Sequence, residues 1–233
     1  THYVHQASLS FIGNVGAGIA TLRKGVEPHP VWSNGAPLET RKVLAEAFPT
    51  DEAWGPAAIC DEVNRLLPDD AIASVDTGAH RILLSSVWRA KKPHTLIQSS
   101  ALCTMGCALP LAMGAKLADP SRPVVAFTGD AGLEMILGEL ATLRDLRLPV
   151  VTVVFVDASL ALIEMKQRAS GMDNLGVDFG KTDFAAVARA LGGNGVDVDN
   201  RSDLASAVSD GLTAGTFTVI AAHIDRTAYD GRI

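Results

Sequence analysis

The stretch Val124-Val-Ala-Phe-Thr128, followed by Gly129-Asp-Ala-Gly132, decides the fold class predicted for this chain. The first part is a continuous apolar run of strand length, and the small residues after it form a turn. Apolar residues then recur at helical spacing as far as Arg147, and Val150–Val156 is a second β-branched run. A strand, a helix and a second strand predict a βαβ unit, whose strands are parallel neighbours in a sheet covered on both faces.

The same alternation of strands and helices continues on both sides of this unit. It predicts an α/β fold with a doubly wound parallel sheet flanked by helices. The further predicted elements are a helix from Trp54 to Leu67, a strand over Ala71–Val75, helices over Ala101–Leu117, Phe184–Leu191 and Leu204–Leu212, and a last strand over Phe217–Ala222.

A proline-rich segment predicts a domain boundary near the start of the chain. Val26–Pro37 holds three prolines, which restrict φ and disfavour helix at the residue before them. Leu9–Leu22, upstream of it, reads as a short strand, a turn and part of a helix, a unit too small to bury its own apolar face. We therefore predict a remnant of another domain over residues 1–25, a linker over 26–40 and the main domain over 41–233. The start at Thr1 suggests processing or a piece of a longer protein.

Composition excludes several classes of function. The net charge of the 233 residues is −6, and an acidic chain with no basic stripe does not predict nucleic-acid binding, since phosphate neutralisation supplies most of that affinity. No run of about 18 apolar residues predicts a membrane span. The three cysteines (Cys60, Cys103 and Cys107) have no disulfide-framework or metal spacing, which favours a reducing cytoplasm.

Two acidic residues occupy the position where ligands bind in doubly wound sheets, just after the carboxyl end of a strand. Asp130 follows the first strand of the βαβ unit and Asp157 follows the second, so both carboxylates are expected at the same sheet edge. Gly129, Ala131 and Gly132 leave backbone N–H groups open to a phosphate at a helix start. Two oxygen ligands beside a phosphate predict a Mg²⁺–diphosphate site.

Ordered motifs give the chain a resemblance to thiamine diphosphate enzymes. Gly129-Asp-Ala131 and Val156-Asp157 stand where that family has Gly-Asp-Gly and, further along, Asn-Asn. The chain thus resembles the carboxyl-terminal, diphosphate-binding portion of the acetolactate synthase and benzoylformate decarboxylase family. The other motifs that carry the resemblance are Asp76-Thr-Gly-Ala-His80, Thr104-Met-Gly-Cys-Ala-Leu-Pro110, Met113-Gly-Ala-Lys-Leu-Ala118, Glu139-Leu-Ala-Thr142 and Leu148-Pro-Val150.

The resemblance implies a role for each matched residue. Asp130 and Asp157 would bind Mg²⁺, with the Ser159 carbonyl as a third ligand. Met105 would lie under the cofactor and enforce its bent shape, and Cys103 would offer its backbone carbonyl to the 4′-amino group. The residues implied to contact the diphosphate are Gly78, Ala79, His80, Ala131 and Gly132. Asp76 is interpreted instead as the cap of a helix that begins near Gly78.

The sequence also departs from the family pattern. Ala131 replaces a glycine where the backbone must approach phosphate, Asp157 replaces an asparagine, and Cys103 stands where glycine is common. Lys166 stands in place of the substrate-side tryptophan of acetohydroxyacid synthases, which argues against that particular activity. The family's activating glutamate belongs to a separate pyrimidine-binding domain that nothing in this chain resembles, so no catalytic residue is assigned here.

Three functions remain open from the sequence. The leading hypothesis is the cofactor-binding part of an enzyme that decarboxylates a 2-oxo acid or joins it to a second carbonyl compound. It would be incomplete without the pyrimidine-binding domain of the same or another chain, in a homodimer or homotetramer. The alternative is a catalytically degenerate interaction or regulatory module of the same fold. A Mg²⁺-dependent phosphatase ranks last, because no second aspartate closely follows Asp130.

Overall fold

The structure, a computed structural model, describes residues 7, 10–27, 32 and 35–233. Two compact units divide the chain, Thr1–Lys42 and Val43–Ile233. Within the described ranges, no helix is long and apolar enough to cross a membrane.

Helix α1 spans Val15–Arg23, and the Asn14 side chain caps it by accepting a hydrogen bond from the Ala17 N–H at 3.0 Å. No residue of α1 is buried, and Ile19 is 54% exposed, so the apolar face of this helix has no cover among the described residues. The predicted strand before α1 is not formed over residues 10–14, and Leu9 lies outside the described residues.

Helix α2 spans Ala36–Ala47 and so begins inside the predicted linker. Residues 28–31, 33 and 34 of that linker lie outside the described residues. The division into residues 1–25, 26–40 and 41–233 stays a prediction.

The rest of the chain alternates short strands with helices that cover both faces of one sheet. The strands are β1 (Ile72–Val75), β2 (Leu96–Gln98), β3 (Val124–Gly129), β4 (Val151–Val156), β5 (Asn194–Val198) and β6 (Thr218–His223). The helices are α3 (Pro56–Leu66), α4 (Ala79–Val87), α5 (Ala108–Ala118), α6 (Asp130–Glu134), α7 (Glu139–Asp145), α8 (Ala161–Ala169), α9 (Phe184–Ala190) and α10 (Arg201–Thr213).

The six strands form one all-parallel sheet in the order β2-β1-β3-β4-β6-β5, which confirms the predicted doubly wound α/β class. Successive residues of a strand point to opposite faces, so each central strand supplies two apolar layers. Val125 and Phe127 pack with α3, α4 and α10 on one face, while Val124 and Ala126 pack with α5, α7 and α9 on the other. Because both faces are buried, β4 is apolar almost throughout rather than alternating.

The strand order reverses beside β1, which positions the ligand site. The chain leaves β1 for β2 on one side and later returns to β3 on the other, so the connections diverge above the carboxyl ends of β1 and β3. Divergent connections leave a crevice at this point in doubly wound sheets. Asp76 follows β1 and Asp130 follows β3, which places both residues at the crevice.

Some predicted boundaries were wrong. The helix predicted from Ala101 begins only at Ala108, because residues 101–107 form a turn with Cys103 and Gly106 at φ values of 50° and 81°. The edge strands β2 and β5 were not predicted: β2 has three residues and β5 is mostly exposed, so neither carries a long apolar run.

Candidate functional site

A cleft, partly open to solvent, lies at the carboxyl ends of the central strands. Its walls come from the turns after β1, β3 and β4, from α8 and from the segment after β6. Its lining residues are Thr77, Gly78, Ala79, His80, Met105, Gly129, Asp130, Ala131, Gly132, Phe155, Asp157, Ser159, Leu160, Ala161, Leu162, Ile163 and Tyr229.

Asp130 and Asp157 lie together, as their positions after neighbouring strands predict. The ladder pairs Gly129 of β3 with Phe155 of β4, and this register brings the two turns side by side. Asp130 Oδ2 accepts hydrogen bonds from the backbone N–H groups of Asp157 at 3.1 Å and Ala158 at 2.7 Å. The Asp130 carboxylate therefore holds the loop that carries the second carboxylate.

Without a cation, the surroundings of the two carboxylates raise the pKa of each. Burial raises the pKa of Asp130, although three backbone N–H groups that donate to it act in the opposite direction. Burial and the neighbouring Asp130 charge raise the pKa of Asp157 to about 7, against its ordinary value of 3.8. A divalent cation between them would offset the repulsion from Asp130 that, after burial, raises the pKa of Asp157.

The donor set suits a hard cation held only partly by protein. The described residues contain no group of three or more His, Cys, Asp and Glu side chains that could hold a metal ion. A metal at Asp130 and Asp157 would therefore complete its coordination with backbone oxygen, water or ligand phosphate. Mg²⁺ binds in that way, through one or two carboxylates with waters and phosphates.

His80 contributes a buried ring with a free polar atom. Its imidazole stacks on Phe155 at a centroid separation of 5.3 Å, and it is only 5% exposed. His80 Nε2 is buried and has no hydrogen-bond partner within the described part of the chain. Burial lowers the pKa of His80, so the ring is neutral at pH 7. A buried polar atom without a partner is costly, and a bound ligand could supply the missing hydrogen bond.

The backbone N–H groups that are open to a phosphate differ from those predicted after Gly129. The helix after Gly129 is the five-residue α6, and the Ala131 N–H is already donated to Asp130 Oδ1 at 2.8 Å. Helix α4 is longer, and within the described residues no side chain caps its start at Gly78. The open N–H groups of its first turn therefore offer the stronger positive helix end to an anion.

Nearly all of the predicted site residues line the cleft. Gly78, Ala79, His80, Met105, Ala131, Gly132, Asp130, Asp157 and Ser159 all line it. Cys103 is not among the lining residues; its Sγ donates to the Ser99 carbonyl at 3.5 Å, and its φ of 50° is unusual for a side chain with a Cβ. The binding roles of all ten residues remain predictions.

The interpretation of Asp76 as a helix cap was wrong. Its carboxylate makes no bond to the first turn of α4 and instead accepts from Gly106, Cys107 and Thr128, together with the neighbouring Thr77 N–H. The sequence contained a signal for a more central role. Asp76 comes directly after the apolar strand that ends at Val75, just as Asp157 comes directly after Val156. Asp130 is one residue further from its predicted strand, which ends at Thr128.

The apolar wall of the cleft was also missed. Leu160, Leu162 and Ile163 come from the start of α8, and Tyr229 from the segment after β6. Tyr229 is 2% exposed and packs with Ala161, and burial raises the pKa of its phenol. No sequence motif predicts Tyr229. It reaches the cleft because the segment after β6 folds back over it, and nothing in the sequence of that segment indicates this path.

A doubly wound sheet with paired carboxylates and a glycine-rich crevice at its switch point defines a nucleotide- or diphosphate-binding class of α/β protein. The family is given by the sequence. Residues 76–222 match the model of the thiamine pyrophosphate enzyme C-terminal TPP binding domain, and the chain belongs to this family.

Individual relatives agree with the family. The chain is 31% identical to an acetolactate synthase of Bacillus subtilis over 73% of its own length, and 31% identical to an acetolactate synthase large subunit of Parasynechococcus marenigrum over 95%. It spans only 30% and 37% of those two proteins. The fold is similar to that of a benzoylformate decarboxylase from Polynucleobacter necessarius, with a TM-score of 0.66 and 21% identity over 72% of this chain and 33% of that one.

The residues present fit thiamine diphosphate. For a diphosphate the cleft offers the paired carboxylates as metal ligands, the uncapped start of α4 and the free His80 Nε2, and for a ring system it offers Met105 and the apolar start of α8. Gly132 lines the cleft and also leaves room for the buried Asp76 carboxylate behind it, because a Cβ there would lie 2.4 Å from Asp76 Oδ2.

Proposed function

We propose that this chain is the cofactor-binding part of a thiamine diphosphate-dependent enzyme that acts on a 2-oxo acid. The reaction would be a decarboxylation or an acetolactate synthase-like carboligation, which makes the enzyme a lyase or a transferase. The observation that carries the proposal is the pair Asp130 and Asp157, hydrogen bonded through Asp130 Oδ2 at the edge of a cleft that matches the family motifs.

Within this proposal, Asp130, Asp157 and the Ser159 carbonyl would hold Mg²⁺, which would supply positive charge beside the diphosphate. The Asp157 carboxylate is suited to a metal, because Ser159 donates to its Oδ1 at 3.0 Å and no described residue donates to its Oδ2. Gly78, Ala79, His80, Ala131 and Gly132 border the diphosphate. Neutral His80 can donate or accept at Nε2 without adding charge.

The ring system of the cofactor would lie over Met105 and against Leu160 and Leu162. These apolar side chains exclude water from the reacting end of the cleft. When bound, thiamine diphosphate supplies a carbon nucleophile and an electron sink for chemistry at a 2-oxo acid carbonyl. The Cys103 carbonyl, proposed for the 4′-amino group, belongs to the turn next to Met105.

A complete site needs a second domain. The relatives are about two and a half times as long as this chain, which leaves room for the pyrimidine-binding domain and its activating glutamate. We propose that this domain comes from the same or another subunit, in a homodimer or homotetramer. The cytoplasm is the expected compartment, consistent with three free cysteines.

Calorimetric titration with thiamine diphosphate, in Mg²⁺ and then in EDTA, tests the proposal. We expect binding that requires Mg²⁺ and is abolished by Asp130→Ala, with Asp173→Ala, an exposed carboxylate, as the matched control. Mg²⁺-dependent binding that survives Asp130→Ala would contradict the site. No binding by the full-length parent protein would favour the degenerate module, for which the left-handed Cys103 and the additional carboxylate of Asp157 are the structural arguments.

A further inference from the structure

We infer that Asp76 is a positioning residue that holds three walls of the cofactor cleft in register. This inference rests on the proposed function and adds a residue that does not line the cleft. Asp76 is fully buried at the carboxyl end of β1, and its backbone N–H continues the sheet by donating to the Phe127 carbonyl of β3 at 2.9 Å.

The carboxylate of Asp76 joins three separate segments of chain. Oδ1 accepts from the Thr77 N–H at 2.8 Å and from the Cys107 N–H at 3.1 Å. Oδ2 accepts from the Gly106 N–H at 2.8 Å and from the Thr128 hydroxyl at 2.9 Å. A single side chain thus connects the turn after β1, the 104–107 turn and the end of β3.

Each of those three segments places a residue in the cleft. Thr77 begins the turn that leads to Gly78 and His80, and the 104–107 turn carries Met105. Strand β3 ends at Gly129, and Asp130 follows it. The distance between Met105 and the Asp130 carboxylate is therefore set through Asp76. Charge-assisted hydrogen bonds are short and directional, which suits this task.

The packing around the carboxylate shows that its position is tightly constrained. A Cβ on Gly132 would lie 2.4 Å from Asp76 Oδ2 and 3.0 Å from Thr128 Oγ1. The glycine in the turn after β3 is thus required by the buried carboxylate. No ion pair to Asp76 occurs in the described residues, so its charge is met by hydrogen-bond donors.

Asp76→Asn is the informative substitution. Both carboxylate oxygens accept a backbone N–H from the 104–107 turn, so the amide NH₂ must face Gly106 or Cys107 in either orientation. Losing one such bond weakens thiamine diphosphate binding in Mg²⁺ by about 10- to 100-fold. Thr128→Val removes only one donor and keeps the side-chain shape, so we expect a smaller loss, about 2- to 10-fold.

Ser74→Ala is the matched control. Ser74 is also buried in β1, and its hydroxyl donates to the Ala108 carbonyl at 2.7 Å, the next residue after Cys107. This bond stabilises the same pair of segments but does not hold the 104–107 turn. Ser74→Ala should lower the unfolding midpoint and leave cofactor affinity within about twofold.

Calorimetric titration of the chain and its variants with thiamine diphosphate and Mg²⁺, well below each unfolding midpoint, measures the affinities. Amide hydrogen exchange at Gly106 and Cys107 in the cofactor-free protein gives a second readout, which should be faster in Asp76→Asn and unchanged in Ser74→Ala. If Asp76→Asn lowers stability but binds the cofactor as tightly as the unmodified chain, Asp76 is only structural and the inference is overturned. If the unmodified chain does not bind, the same titrations are made on the full-length parent protein, and its failure to bind would contradict the proposed function, and this inference with it.

Discussion

Asp157→Asn should stabilise the metal-free protein at alkaline pH, although it removes a predicted metal ligand. The folded pKa of Asp157 is raised to about 7 from an ordinary value of 3.8 by burial and by the Asp130 charge. A raised carboxyl pKa means that the folded state binds the proton more tightly than the unfolded state. Stability is therefore lost as the pH rises from about 4 to about 7, and the full penalty is present above that window.

The magnitude follows from the same shift. Each unit of pKa corresponds to about 1.4 kcal/mol, so the gap sets an upper bound of roughly 4 kcal/mol. Asp157 is partly exposed, and screening reduces this to about 2–4 kcal/mol. The asparagine oxygen can still accept the Ser159 N–H that Asp157 Oδ1 accepts, so the substitution removes the charge without losing that bond.

Urea unfolding in EDTA at pH 5 and at pH 8 measures the effect. We expect Asp157→Asn to raise the free energy of unfolding at pH 8 and to do so much less at pH 5, while Asp173→Asn changes neither. If Asp157→Asn is no more stable than the unmodified chain at pH 8, the two carboxylates do not repel each other as the geometry implies, and the argument for a cation between them fails.

Three further predictions concern other residues. Gly132→Ala should lower the free energy of unfolding by about 1–3 kcal/mol in urea titrations, because its Cβ would meet the Asp76 carboxylate, whereas Gly114→Ala in α5, with nothing within 4 Å, should be neutral or stabilising. The ring signals of His80 should not titrate between pH 8 and 6 by NMR, because burial lowers its pKa; a midpoint near 6.5 would refute this. Cys60 should react with a thiol reagent only on unfolding, since burial raises its pKa, and rapid labelling of native protein at that residue would contradict its position.

The sequence predicted the features that depend on neighbouring strands. Asp130 and Asp157 each follow a long apolar strand, and 27 residues suffice for one strand–helix–strand passage, so their proximity follows from parallel pairing alone. Gly129 and Gly132 belong to the same passage. These residues are close in space because the segments that carry them are consecutive along the chain. Gly78, by contrast, follows β1, and only the resemblance implied it.

Features that depend on distant segments could not be predicted. The partners of Asp76 other than the adjacent Thr77 lie 30 to 52 residues away, so the sequence around Asp76 resembles an ordinary helix cap. The start of α5 was misplaced for a related reason. The small and apolar residues of 101–107 suit a helix by composition, but the bonds to Asp76 hold them in a turn with positive φ at Cys103 and Gly106.

The strand order has a consequence for how the cleft is assembled as the chain folds. The contact between Asp130 and Asp157 closes a loop of 27 residues, whereas the contact between Asp76 and Thr128 closes one of 52. Doubling a flexible loop costs about 0.6 kcal/mol of additional closure entropy, so the carboxylate pair is expected to form before the connection to β1. Pulse-labelling of amides during refolding should protect β3 and β4 first. The half of the cleft that carries Asp130 and Asp157 would then exist, briefly, as a folding unit to which the half bearing Met105 is added.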